Sequence, residues 1–421
     1  MSDPSLLNIP YRFKASKLYS QIPDSGLGDF VVSRSASNAA TRVNAQGFIE
    51  VVSDNVPRLD YPLGGIANGC PALLVEPSAQ NTCLQSETFQ SWAFTNASAS
   101  SGNAAISPSN TQTAGLFIPN SGTTGRGEVA CGTLSNATTY SFSCFIKTPT
   151  NSLTSVWLYT SDGGGGTGAN RWGVEINLSN FTLTDYILNN GSVTSKAVEN
   201  YGNGWYRVRV TGQVTSGIGG SSVAVVRKLT AGADTNGING VLVWGAQFET
   251  GSIATSYIPT TTAAITRGAD LVSKTGVSSL IGQTEGTIYA EVVLSRVNAN
   301  PLITISDGTD TNRIQIAFAS PTSLVAIIRI TTLNVNYTVT IPTIPATGGV
   351  YKMALGYKTD DYCFALNGTA YANTASRGVP ACNKIGLGTS ATDGAFLNDR
   401  IRASAIFPTR LTNAQLQALT T

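Results

Sequence analysis

Residues 138–147 read TTYSFSCFIK, and this stretch decides the fold. Tyr140, Phe142, Cys144 and Ile146 fall on one side of an extended chain. That period of two marks a half-buried strand, because successive side chains point to opposite faces. The pattern recurs outward from there. In WYRVRV, Tyr206, Val208 and Val210 share a face opposite Arg207 and Arg209. In VLVWGAQF, Leu242, Trp244 and Phe248 are expected to lie together. Turn signals separate these runs: Asp162 followed by the glycines 163–166, Asn190-Gly191 and Asn203-Gly204. Many short alternating runs between such turns predict an antiparallel sandwich spanning residues 85–262.

A second sandwich is expected over 263–421, its first strand near Leu271. Tyr289, Glu291 and Val293 alternate with Ala290, Val292 and Leu294, and Tyr351, Met353 and Leu355 share another face. Residues 303–306 and 313–316 read as a hairpin around Asp307-Gly308. At the end of the chain, Thr412 with Gln415 three residues later fits a capping box, and Leu411 with Leu416 fits a hydrophobic staple. A short helix is therefore expected to pack through Leu416 and Leu419. Residues 1–84 carry much of the proline and few clean strands, so they are expected as an anchor and stem unable to bury a core alone. The predicted fold is all-β, with a stem, two sandwiches and one short C-terminal helix.

Composition narrows the function. The chain has 421 residues, enough for two or three domains, with 42% hydrophobic and only 12% charged residues. A net charge of +2 gives no footprint for nucleic acid. No apolar run reaches the length needed to span a bilayer. The start, MSDPSLLNIPYRF, lacks a basic region followed by an apolar one, so synthesis in a cytoplasm is expected. The cysteines are Cys70, Cys83, Cys131, Cys144, Cys363 and Cys382, with no C-x-x-C pair. They read either as buried free thiols or as disulfides formed after release.

The chain has no histidine. That removes imidazole-based triads, the H-E-x-x-H metal motif and most general acid–base schemes at neutral pH. Glycoside hydrolysis needs only two facing carboxylates. Glu175 in GVEINL and Glu291 in YAEVVL are strand carboxylates without an acidic neighbour on their own face, so no catalytic residue is assigned. The run 163–166 reads as a loop tip and not as a phosphate cradle. SDGTDTN at 306–312 offers two Asp and an Asn, short of the six oxygens calcium prefers, so a turn is the expected reading and no cofactor or metal is assigned.

All five tryptophans lie in or beside the first sandwich. Trp244 and Trp205 read as structural. Trp157 and Tyr159 alternate opposite Val156 and Leu158; if their face is exposed, they form a sugar-stacking platform that Trp172 joins. The same stripe is open to a core reading or to a subunit-interface reading. Without a visible Arg or Lys cluster, an uncharged glycan is the expected ligand.

One stretch also carries a family resemblance. Residues 41–65, TRVNAQGFIEVVSDNVPRLDYPLGG, and 70–81, CPALLVEPSAQN, contain TRVN, G-x-I-E, VPRLDY and C-P-x-LL-x-E-P. This resembles a segment of bacteriophage fibre and spike proteins, between a virion-attachment end and distal β domains. LLNIPYRFKASKLYSQIP at 6–23 and GDFVVSRSAS at 28–37 resemble the starts of such proteins, especially in phages of gut Bacteroidetes. NGWYRVRVTG, VWGAQFETGSIATSYIPT and FPTRLTNAQLQAL resemble their carbohydrate-binding-like and concanavalin- or laminin-G-like sandwiches.

The resemblance implies a non-enzymatic surface fibre of a virion, made in the host bacterial cytoplasm. It would dock through residues 1–40 on capsid or tail proteins and touch host surface polysaccharide. A head fibre is expected over a tail fibre. A homo-oligomer, a trimer first, is expected, with no nucleic-acid partner and no membrane insertion. The alternatives are a glycan-degrading tail spike and a capsid decoration protein without a receptor role.

Overall fold

Tyr140, Phe142, Cys144 and Ile146 do share one buried face, and it is the inner face of a sandwich. The computed structural model describes residues 2–35, 39–61, 63, 69–99, 104–163, 168–218, 221–232, 235–294, 300–320, 323–330, 349–373 and 378–421. The architecture is all-β, with antiparallel sheets and, among the described residues, one short α-helix. Among the described residues no helix is long and apolar enough to cross a membrane. The expected loop tip at 163–166 falls largely outside the described residues.

The first sandwich stacks two six-stranded sheets. Its front sheet runs Ala93–Thr95, Gly125–Thr133, Ser221–Lys228, Ser155–Ser161, Arg171–Asn177, Leu183–Leu188. Its back sheet runs Ala97–Ala99, Gly115–Pro119, Val241–Thr250, Tyr140–Lys147, Trp205–Val214, Gly191–Gly202. One expectation inside it fails. Leu242 and Trp244 lie on the outer face of the back sheet, whereas Phe248 lies in the core. A β-bulge shifts the register between Ser143 and Phe145 on the neighbouring strand, and Gly245 takes φ 64° there. One extra residue flips every later side chain to the other face.

The second sandwich has two eight-stranded sheets, and residues 1–84 help to build both. Leu6–Asn8 and Ala72–Val75 pair with Asp399–Phe407, and Phe30–Ser33 pairs with Leu271–Thr275. The N-terminal segment is therefore not a separate stem. Leu6, Leu18, Phe30 and Leu73 sit in one core with Ile288, Met353 and Leu355. Too poor in apolar residues for a core of its own, the segment buries what it has in that of the distant C-terminal half.

It follows that the first sandwich is an insertion. Ala79–Asn81 and Ile265–Arg267 pair as a two-stranded neck, with Asn81 opposite Ile265. Just beyond, Gln85 N donates to Thr261 O at 2.7 Å, so the inserted unit is entered and left side by side. At the other end of the molecule Asn413–Thr420 forms the expected helix. Gln415 N donates to Thr412 Oγ1 at 3.3 Å and Thr412 N to Gln415 Oε1 at 2.9 Å, completing the capping box. Leu411, Leu416 and Leu419 pack it against the outer face of the second sandwich.

Candidate functional site

The front sheet of the first sandwich positions two of the aromatic residues singled out in the sequence. On Ser155–Ser161, Val156 and Leu158 point into the core while Trp157 and Tyr159 point the other way. Of the readings left open for this stripe, the rings lie on the outward side, but they are not exposed. Trp157 is 8% exposed and Tyr159 0%. Arg171 lies 5.5 Å over the Tyr159 ring, Tyr186 packs at 5.1 Å, and Arg227 Nη1 donates to the Tyr159 hydroxyl at 3.3 Å. Burial raises the phenol's pKa, against the pull of Arg227. A sugar cannot stack on rings already covered by their neighbours. Trp172 does not join the pair. It pairs with Thr160 across the strands, faces the core and is 0% exposed. The proposed platform of Trp157, Tyr159 and Trp172 is thus corrected: two rings form a covered outer cluster and the third is core.

That same face also brings together charges far apart in sequence. Arg227 is directly opposite both Arg126 and Trp157, and Glu175 flanks Trp157 on the other side. Arg126 is tied to Glu128 at 2.9 Å. The arginines on this face come from three strands, which is why no cluster is visible in the linear sequence.

The strand carboxylates do not meet. Glu175 belongs to the first sandwich and Glu291 to the second, where it is held by Arg402 at 3.2 Å and the Tyr289 hydroxyl at 3.3 Å. In the acidic turn, Asp307 accepts bonds from Thr309 N, Thr309 Oγ1 and Asn312 Nδ2, at 2.8, 2.6 and 2.7 Å. These bonds outweigh its slight desolvation and hold its pKa below the ordinary value. Asp310 bonds Arg313 at 2.7 Å. The carboxylates serve the turn. Cys70 is exposed and the other five thiols are buried, all six free.

The polar side chains of the 41–81 segment converge elsewhere. Arg58, from VPRLDY, ion-pairs with Asp270 and with Glu76 of LLVEP, the latter at 2.8 Å. Arg34 reaches Asp270 at 2.9 Å and Arg267 reaches Glu76 at 3.3 Å. Glu76 also accepts Ser256 N at 2.8 Å and Ser256 Oγ at 2.7 Å, while Thr41 Oγ1 donates to Tyr257 O. Asp60 accepts from Arg400 Nε and Val43 N, each at 2.6 Å. Thus TRVN, VPRLDY and LLVEP grip the SYIPT tail of the inserted sandwich on one side and the second sandwich on the other. Burial disfavours the Arg58 cation, but Asp270 and Glu76 overcome it and leave its pKa above the ordinary value. For Arg34 and Arg267 burial prevails and lowers it.

Beside this cluster a small cleft of about 30 Å³ is lined by Asp60, Glu76, Glu199, Asp399, Arg42 and Arg400, among others. Each of these carboxylates is paired with an arginine, Glu199 with Arg209 at 3.0 Å and Asp399 with Arg400 at 3.5 Å. Paired this way they are suited to joining two bodies, not to exchanging protons with a substrate.

No family model matches the sequence, and no curated protein does. Among solved structures the chain is similar to the CBM40 of the Ruminococcus gnavus IT-sialidase bound to α2,3-sialyllactose, at 17% identity over 34% of this chain and 86% of that one, with a TM-score of 0.30. Domain 4 of AbnA, a GH43 extracellular arabinanase from Geobacillus stearothermophilus, in complex with arabinotriose, matches at 14% over 36% and 73%, with a TM-score of 0.31. Mouse laminin α1 chain domains LG4-5 match at 10% over 79% and 89%, with a TM-score of 0.25. Likenesses this loose leave those ligands with those proteins.

Proposed function

We propose that the chain is a non-enzymatic structural protein of a phage particle, a surface fibre of head type. It docks through residues 1–40 and presents its inserted sandwich to host-surface glycans. The observation that carries this reading is the convergence at the junction. The segment that resembles phage fibre proteins supplies Thr41, Arg58, Asp60 and Glu76, and their partners belong to both sandwiches. An inserted unit fixed by a buried ion cluster suits rigid display. For docking, Ile9, Tyr11 and Phe13 are exposed near the N-terminus, beside Arg12 and Lys14.

The chain is made in the host cytoplasm and reaches the virion surface as a homo-oligomer, a trimer first. Gold-labelled antibody against the chain, imaged on purified particles of the phage that encodes it, tests the assignment. Label on the capsid is expected. Particles that carry no chain would remove the reading, and label confined to the tail would move it there. Incubation with host capsular polysaccharide should release no new reducing ends; sustained release would favour the tail-spike alternative.

A further inference from the structure

A groove of about 200 Å³ opens where the inserted sandwich meets the hairpin of Ala40–Val43 and Ile49–Val52. Phe48, Ile106, Asn110, Lys147, Tyr201 and Asn203 are among its lining residues. Its walls are tied in place. Ile49 N donates to Pro108 O at 2.9 Å, and Trp205 Nε1 donates to Ile106 O at 3.0 Å. The third wall is a tight turn in which Asn203 and Gly204 take φ 51° and 77°. A groove built this way exists before any ligand arrives, so little ordering is needed on binding.

Three polar heads in it, those of Lys147, Asn110 and Asn203, make no hydrogen bond or ion pair among the described residues. Lys147 Nζ rests 5.9 Å from the Trp205 ring centroid, and among the described residues it has no carboxylate partner and the lining contains no Asp or Glu. The side-chain amides of Asn110 and Asn203 are exposed and make no hydrogen bond among the described residues. Phe48 is partly exposed and Ile106 exposed, giving an apolar patch beside these three heads. One uncompensated cation, two carboxamides and an apolar face match the parts of an acidic sugar unit: carboxylate, hydroxyls and the C–H face of the ring.

We propose that this groove binds an acidic saccharide unit. The carboxylate lies on Lys147, hydroxyls lie on Asn110 and Asn203, and the ring packs on Phe48 and Ile106. The proposal rests on the glycan-contact reading and names its ligand class, replacing the uncharged glycan expected from the sequence. Single-site affinity would be weak, with many copies on a particle supplying avidity.

Equilibrium titration of the full chain with digalacturonate and 3′-sialyllactose, against lactose and maltose, is the test. At least one acidic sugar should bind about tenfold tighter than the neutral ones, the worth of one charge-assisted hydrogen bond. Lys147→Met should lose that margin with an unchanged melting temperature, since the stem over Trp205 is retained. Asn203→Gly keeps the positive φ and should weaken binding without unfolding. Equal binding of acidic and neutral sugars, no binding of either, or Lys147→Met binding as wild type would overturn the proposal. Retention on immobilised host polysaccharide is a separate arm. If wild type and Lys147→Met are retained equally, the groove is wrong and the glycan reading stands. If wild type is not retained at all, the glycan reading falls and the small-sugar titration alone judges the groove.

Discussion

Arg58 Nε donates to Asp270 Oδ1 at 3.1 Å across 212 positions of sequence, with both side chains buried. Removing one partner leaves the other buried charge under-compensated, although Asp270 keeps Arg34 and Arg58 keeps Glu76, at a cost of up to about 3–5 kcal/mol. Arg58→Ala and Asp270→Ala should each lower stability by that order in urea unfolding. The double variant should lose less than the sum, because the second change removes the stranded charge. Additive losses would show that the two side chains act independently.

Trp157→Ala separates packing from recognition. The ring sits under Lys228 and opposite Arg227 in a covered cluster, so its loss should cost about 3 kcal/mol, at the low end for a buried aromatic. Cell adsorption should fall only as far as folding does. An unchanged melting temperature with adsorption abolished would return the ring to the receptor site.

Thr412→Ala removes the hydroxyl that accepts from Gln415 N, leaving only the backbone bond to Gln415 Oε1, and should destabilise the terminal helix by about 1 kcal/mol. Because the helix packs only on the second sandwich, a melting transition of the inserted sandwich should not move. Circular dichroism with domain-resolved hydrogen exchange checks this.

Glu249 gives a dependence on pH. Burial raises its pKa above the ordinary 4.5, against the bonds it accepts from Thr255 and Gln247. The folded state therefore holds the proton more tightly than the unfolded one. This group's stabilising contribution is present below pH 4.5 and is lost as pH rises through the folded-state value. Glu249→Gln should abolish that loss, so the variant should gain on wild type as pH is raised from 4.5 toward 7. Parallel stability curves across that range would contradict the assignment.

Deletion tests the insertion. Residues 85–262 alone should fold, since their ends meet at Gln85 and Thr261. Residues 263–421 alone should not, since Leu6, Phe30 and Leu73 are missing from their core. A cooperative thermal transition in the second fragment would show that the N-terminal strands are dispensable.

Much of this fold was legible wherever a strand was long enough to show its period. Ile288, Ala290, Val292 and Leu294 line the second core as their alternation implied. The reading broke at Gly245, where one bulged residue reverses the phase and composition gives no sign of it. It broke again over residues 1–84, whose strands are two to four residues long and several of which find their partners hundreds of positions away. For Trp157 and Tyr159, alternation put both rings on one side and left open which side faced the core. It was silent on what covers that side, because Arg171, Tyr186 and Arg227 arrive from other strands. The groove was invisible for the same reason: Phe48, Asn110, Lys147 and Asn203 meet only through tertiary pairing.

The neck has a mechanical meaning. A sandwich strung between single linkers passes all tension through one peptide, and a nick there frees it. Here Ala79–Asn81 and Ile265–Arg267 run as twin cables between the two bodies. A pull on the inserted unit divides between them and loads both strands along their length. Cutting either leaves the unit tethered by the other, so a proteolysed molecule would keep its tip.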